Sequence, residues 1–332
     1  MIRSFVLTLA LVASGCSGTA EMQDAGRMFP DAGLFDAGPQ PIQYTQYTLR
    51  TTGWPANARL VGAGSVSGVL YAATTDAVVK MPNIETVWTT ELTPLSGDLK
   101  PTSFQRFDQS LVMTAAGASM GGLYVKELDG EWAAVTGAPT NPTWALVKKG
   151  NEYLMATTGG LYVATSLSGP WSRRTPLNTP LFAQKITRLV AGAGQQKIFA
   201  WGMAGGGALY ESNDLGVTWA VAAPRGAVEA LAASGAVAVL STAMDGQQRS
   251  DNYGNTFRAA TAPISDGVLF YATDGTSFFA GGNGGLKKSS DLGATFVDDP
   301  DGLPSGTAVL SLTFAGGYVI ADTTNGPYVN QQ

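Results

Sequence analysis

The chain contains no histidine. That removes imidazole general bases, Ser-His-Asp and Cys-His nucleophile pairs, and imidazole metal ligands in one stroke. It has one cysteine, Cys16, so an internal disulfide and a cysteine-based zinc site are both excluded. Charged residues make up only 14% of 332 residues, against about 25% in an average globular chain. The net charge is −5 and no basic run occurs, which argues against nucleic acid as a partner. No apolar stretch approaches the roughly 20 residues that span a bilayer. The longest near the start, Phe5–Val12, is broken by Thr8.

What is abundant is glycine, with 42 residues, and a recurring short phrase. It reads Ser-Asn-Asp-Leu-Gly-Val-Thr-Trp at Ser212–Trp219, Ser-Ser-Asp-Leu-Gly-Ala-Thr-Phe at Ser289–Phe296, and Ser-Asp-Asn-Tyr-Gly-Asn-Thr-Phe at Ser250–Phe257. Repetition at a fixed period decides fold before any other signal. The strand ahead of each turn aligns through Val79, Tyr124, Tyr162, Tyr210, Gln248, Lys287 and Tyr328, a spacing of roughly 40–45 residues. An aromatic follows the turn at Trp88, Trp132, Trp171, Trp219, Phe257 and Phe296. The seventh unit has none before the chain stops at Gln332. Each unit holds four strand-like runs, and Gly, Asn and Asp between them suit hairpins.

Four-stranded units at this period describe the blades of a β-propeller. The expected fold is all-β, a seven-bladed β-propeller over residues 44–332. Its last blade would lack one strand, which Tyr44–Thr51 can supply from the other end, closing the ring and covering an open edge.

The turn phrase resembles the Asp-box, or BNR repeat, of sialidase-like propellers. Ser212, Asp214, Gly216, Thr218 and Trp219 fit that pattern in full; Ser289, Asp291, Gly293, Thr295 and Phe296 fit with Phe for Trp. Ser250, Asn252, Gly254, Thr256 and Phe257 fit with Asn for Asp; the third unit keeps Ser166, Gly169 and Trp171, and the second Gly130 and Trp132. The resemblance implies a turn on the outer hairpin, away from the ligand face. There the carboxylate caps nearby backbone N–H groups, and the aromatic wedges between blades. It does not imply sialidase activity, because the early Arg-Ile/Leu-Pro segment and a Tyr–Glu pair are missing.

The start of the chain reads as export machinery. Arg3 and the short apolar run precede Ala13-Ser14-Gly15-Cys16, which resembles a bacterial lipobox. The resemblance implies a signal peptide over 1–15, lipidation of Cys16, and, with Ser17 next, an outer-membrane or cell-surface location. A soluble secreted form cut nearby is the alternative. Residues 16–43 repeat Asp-Ala-Gly around Pro30, Pro39 and Pro41 and read as a flexible tether.

Ligands of a propeller sit where inner strands begin. Arg59-Leu60-Val61 and Arg188-Leu189-Val190 align there, and the same alignment marks Trp144 and Glu229, with Leu269 and Leu310. A channel mouth bearing Arg59, Trp144, Arg188 and Glu229 can hold an acidic or sugar-like group. The expectation placed ahead of it is structural: an Arg188–Glu229 bridge between adjacent blades, with Trp144 packed in a blade seam. Trp201, beside Gly205-Gly206-Gly207, is a further candidate contact, and the loops Thr93–Lys100 and Arg173–Lys185 are candidate surfaces. Asp298-Asp299-Pro300-Asp301-Gly302 reads as a solvated turn, with a calcium loop as the alternative.

The leading expectation is a non-catalytic, monomeric surface module without cofactor or metal, binding a protein or glycan partner. The alternative is a glycan-active hydrolase that pairs two carboxylates, with Asp245, Glu91 and Glu229 as candidates. Facing carboxylates in a deep pocket would favour hydrolysis; a broad apolar rim would favour docking.

Overall fold

The computed structural model describes residues 46–174, 186–192, 197–202, 207–222, 226–265, 267–299 and 303–331. Cys16 and the tether, most of the Arg173–Lys185 loop, Gly205-Gly206 and Pro300–Gly302 lie outside them.

Seven four-stranded antiparallel sheets account for the described strands, and six of them are built from four strands consecutive in sequence. Their first strands are Leu60–Val66, Lys100–Phe107, Thr143–Lys149, Ile186–Ala191, Val228–Ser234 and Phe270–Thr273, with Val309–Phe314 beginning the seventh. Each first strand packs against the first strand of the next sheet, and the seventh returns to the first. A ring of blades around one channel follows, as the repeat predicts. All seven aligned residues from Val79 to Tyr328 fall on third strands.

The second strand of each blade is sandwiched by neighbouring blades, so its residues are apolar on both faces rather than alternating. Ser110–Ala116, Ile198–Gly202, Val237–Thr242 and Tyr318–Thr323 are buried throughout. The core is therefore a set of seams between blades. In one, Phe199, Trp201, Leu231 and Leu240 join blades 4 and 5; in another, Val239, Tyr271 and Phe278 join blades 5 and 6.

The seventh blade is completed from the start of the chain. Thr48–Leu49 pairs antiparallel with the third strand of blade 7, Thr48 opposite Val329 and Leu49 opposite Tyr328. The Arg50 N–H extends the ladder to the Pro327 carbonyl at 2.8 Å. The sequence expectation that the seventh unit lacks its aromatic is corrected here. Tyr47 immediately precedes Thr48, as Phe296 precedes Val297 and Phe257 precedes Arg258, at the same pairing register. It is 5% exposed and packs into the blade 6–7 seam with Phe279, Leu286 and Tyr328. The missing wedge arrives from the opposite end of the chain, some 280 residues away in sequence, where a unit-by-unit reading does not look.

The repeated turn is a staple between blades. In blade 4 the Thr218 N–H donates to Asp214 Oδ1 at 2.8 Å, Thr218 Oγ1 to Asp214 Oδ2 at 2.5 Å, and Ser212 Oγ to Asp214 Oδ1 at 2.7 Å. The Gly216 N–H reaches Ser212 Oγ at 2.7 Å. Blade 5 repeats this with a neutral amide: Asn252 Oδ1 accepts from Thr256 N–H at 3.0 Å, and Asn252 Nδ2 donates to Thr256 Oγ1 at 2.8 Å. The turn glycine then presses on the preceding blade. A Cβ at Gly216, Gly254 or Gly293 would lie 2.7 Å from Leu161, 2.3 Å from Phe199 or 2.4 Å from Val239.

These hydrogen bonds set an acid limit. Partial desolvation would by itself raise the Asp291 carboxyl, but donors on Thr295 and Ser289 outweigh it and hold the pKa down to about 2. A depressed carboxyl pKa stabilises the fold above its unfolded value, about 3.9, and the contribution is lost as pH falls through about 2. The melting temperature of Asp291→Asn, which can copy the Asn252 geometry, should therefore fall less steeply between pH 4 and pH 2 than that of the parent. Equal slopes by calorimetry would show that this turn is not acid-sensitive.

Candidate functional site

The first strands carry a shared irregularity where the channel opens. Pairing slips by one residue between Leu60 and Gly62, Pro101 and Ser103, Thr143 and Ala145, Ile186 and Arg188, Val228 and Ala230, and Val309 and Ser311. In blade 6 both Leu269, through its N–H at 2.8 Å, and Phe270, by register, face Gly281. A bulge leaves one extra residue unpaired and re-aims its side chain. The seven residues so placed are Val61, Thr102, Trp144, Thr187, Glu229, Leu269 and Leu310. Around Trp144 and Glu229 the flanking residues on both sides are buried while the bulged residue is more open, so it turns out of the seam towards the mouth.

The sequence alignment placed Trp144, Glu229, Leu269 and Leu310 at this level, and the pairing puts all four in one register. It separates the two arginines. Leu60 opposes Thr74 and Ile186 opposes Gly202, each one step ahead of its bulge. Ile186, not Leu189, is thus the counterpart of Leu60, and the matching Arg-Leu-Val triplets are out of phase. Arg59 lies before its bulge and Arg188 just after, so they sit at different depths. The triplets misled because a bulge changes the count without leaving a sequence mark.

Arg59 reaches over the closing seam, donating through Nη1 to the Thr323 carbonyl at 3.4 Å. Beside it Asp322, 2% exposed, accepts the Leu60 N–H at 3.2 Å. Burial pushes the Asp322 carboxyl up, against that hydrogen bond and the Arg59 charge. Arg188 is open to solvent and opposes Trp201 across the strand pair. Its guanidinium is nonetheless crowded by surrounding blades, which lowers its pKa, while a guanidinium stays protonated in proteins. Glu229 Oε2 accepts from Ser241 Oγ at 2.7 Å, and the Glu229 charge, after burial, raises the Tyr271 pKa. Arg188 Nη1 turns to the Thr187 carbonyl at 3.1 Å. Among the described residues the expected Arg188–Glu229 bridge is not formed.

Trp201 is corrected. It is 8% exposed and lies in the blade 4–5 seam, because it belongs to a second strand, the layer with a blade on each side. Glu91 does not join a mouth acid pair either: it sits on the fourth strand of blade 1, held by Lys80 at 2.7 Å and Lys126 at 3.3 Å. Asp245 follows the second strand of blade 5 at the mouth end, its N–H bonded to Thr242 Oγ1 at 3.0 Å. Sequence reasoning did not single out the exposed apolar side chains on mouth-side loops. Leu92 is 90% exposed, Met120 59% and Met244 70%. Single exposed apolar residues carry no sequence mark; only the loop's position groups them. Among the described residues no cluster of three or more acidic or cysteine side chains is placed to hold a metal, and no helix is long and apolar enough to cross a membrane.

No family model matches the chain, and no curated protein matches it. Solved structures do match. YCF48 bound to D1 peptide is 14% identical, with a TM-score of 0.65 over 91% of this chain and 99% of that one. YCF48 from Cyanidioschyzon merolae is likewise 14% identical, with a TM-score of 0.64 over 86% and 98%. A catalytically inactive variant of virginiamycin B lyase from Staphylococcus aureus with quinupristin is 11% identical, with a TM-score of 0.62 over 86% and 97%. What they share with this chain is the fold.

Proposed function

We propose that this propeller is a non-catalytic capture module that takes an exposed segment of a protein partner at the channel mouth. The observation that carries the reading is the ring of bulges, which sets one residue per blade at the same level of the mouth, although Thr102 spends its hydroxyl on the Thr143 carbonyl of the next blade at 2.6 Å and Val61 packs against the blade 1–2 core. The other positions mix an aromatic (Trp144), aliphatics (Leu269, Leu310), a carboxylate (Glu229) and a hydroxyl (Thr187), with Arg188 beside them. Such a ring suits a polypeptide, which offers apolar and polar groups in alternation. The exposed Leu92, Met120 and Met244 around it extend the apolar contact area. A YCF48 structure holds a peptide, which agrees with the same use of the fold here. The lipobox resemblance at Ala13–Cys16 supports a lipid-anchored, exported module at the outer membrane or cell surface, with the tether holding it clear of the lipid.

The test is capture from detergent-solubilised envelopes with the parent and the Trp144→Ala/Arg188→Ala pair. The double variant should retain its melting temperature and lose the captured partner at least tenfold, since buried aromatic and arginine anchors dominate interfaces. Undiminished capture would remove the mouth from the account. Fractionation of Cys16→Ser checks the anchor separately: it should leave the membrane fraction, and retention there would contradict lipidation.

A further inference from the structure

On the face opposite the mouth, a cleft of about 440 Å³ opens between blades 2 and 3. Its origin lies in one residue of the repeated turn. Ala164 opposes Tyr153 as Ser212 opposes Ile198, Ser250 opposes Ala238 and Ser289 opposes Phe278. Counting from that register, the blade 3 turn places Ser166 where the others have Asp or Asn, and Ser168 where they have the pressing glycine. The sequence reading had matched Ser166 to the turn serine and Gly169 to the turn glycine, which the pairing corrects. Gly216, Gly254 and Gly293 touch the preceding blade so closely that a Cβ has no room. A serine there cannot seat in the same way; Leu167 of the turn packs against the blade 2–3 core instead, and Ser168 is left exposed at the lip of the cleft.

The walls are mostly charged and polar, with Leu167 and the Tyr153 ring the apolar exceptions. Lys148 Nζ spans the cleft to Asp108 Oδ2 at 2.8 Å and lies 5.4 Å from the centroid of the Tyr153 ring. Glu127 is exposed and oriented by Ser110 Oγ, which donates to its Oε2 at 2.7 Å. Ser166 Oγ and Ser168 Oγ are 3.0 Å apart. Two carboxylates against one ammonium repel an anion. The ammonium is already paired with Asp108, so a cation would meet one solvated carboxylate, a weak attraction. A neutral polyhydroxyl ligand suits what is present: Glu127 and Asp108 accept its hydroxyls, Lys148 donates a remaining N–H to its oxygens, and Ser168 Oγ, whose own hydrogen goes to Ser166 because Ser166 Oγ donates to the Gly169 carbonyl at 2.9 Å, accepts one more hydroxyl. The volume lies in the range of small-ligand sites.

We infer that this cleft is a second binding site, taking a neutral sugar unit at the blade 2–3 seam. It is separate from the mouth and does not depend on the reading of the mouth. Saturation-transfer NMR with glucose, galactose, mannose and N-acetylglucosamine tests it, with free arginine and inorganic phosphate as charged controls. At least one neutral sugar should give a signal that Ser168→Trp, filling the cleft from its exposed lip, reduces at least tenfold. Glu127→Gln should weaken it severalfold, and it decides the matter if Ser168→Trp fails to fold. Trp144→Ala should leave the sugar signal unchanged, so loss of the mouth reading and loss of this one are told apart. No sugar signal, one indifferent to both cleft variants, or an arginine or phosphate signal that the cleft variants abolish would overturn the inference.

Discussion

Replacing Gly254 with alanine is expected to destabilise the protein by about 3 kcal/mol, as the sum of overpacking at 1–3 kcal/mol and a left-handed backbone penalty of 1–2 kcal/mol. Gly254 has φ +76°, and its missing Cβ would lie 2.3 Å from the ring tip of Phe199. That ring is fully buried in the blade 4–5 seam, 6.3 Å from Phe257, and cannot swing aside without opening the seam. Gly246 supplies the comparison: its φ is +65° but nothing lies within 4 Å of the Cβ site. Gly246→Ala should therefore cost only the backbone part, about 1 kcal/mol. Denaturant melts of the two variants separate the terms. Equal losses would mean that the turn does not press on the neighbouring blade.

Tyr47→Ala is expected to cost about 3 kcal/mol, within the 3–5 kcal/mol typical of deleting a buried aromatic ring. The loss is expected at one seam, because among the described residues Tyr47 packs where blade 6 meets blade 7. Since the fourth strand of blade 7 is just Thr48–Leu49, the wedge beside it does much to hold that strand in place. Hydrogen exchange in Tyr47→Ala should show the amides of Gly326–Gln331 exchanging much faster than those of Val237–Thr242. A uniform loss of protection would mean that the closure is not local.

How far the sequence could be read follows from what each feature leaves behind. The turn phrase repeats because it satisfies local hydrogen bonds and a glycine-only approach, so blade number, strand order and ring closure were legible. Tyr47 was missed because its blade is assembled from both ends. The level of Trp144 and Glu229 in the mouth was legible from strand starts. The offset between Arg59 and Arg188 was not, because a bulge adds a residue without changing composition. Trp201 looked like a contact residue beside glycines, yet second strands are covered on both faces whatever follows them. The cleft at Ser168 depends on the register of a degenerate turn, which only the pairing of Ala164 with Tyr153 establishes.

The placing of every mouth residue rests on the ring being closed between Thr48–Leu49 and the third strand of blade 7. The most direct measurement is a cross-link at that joint. With Cys16 replaced by serine the chain has no other thiol, and Leu49→Cys with Tyr328→Cys puts one on each partner of a directly opposed pair, where antiparallel Cα spacing admits a disulfide. Mild oxidation should form the intramolecular bond almost completely and raise the melting temperature. Thiols that stay free under the same oxidation, or that link only between molecules, would contradict the closed ring.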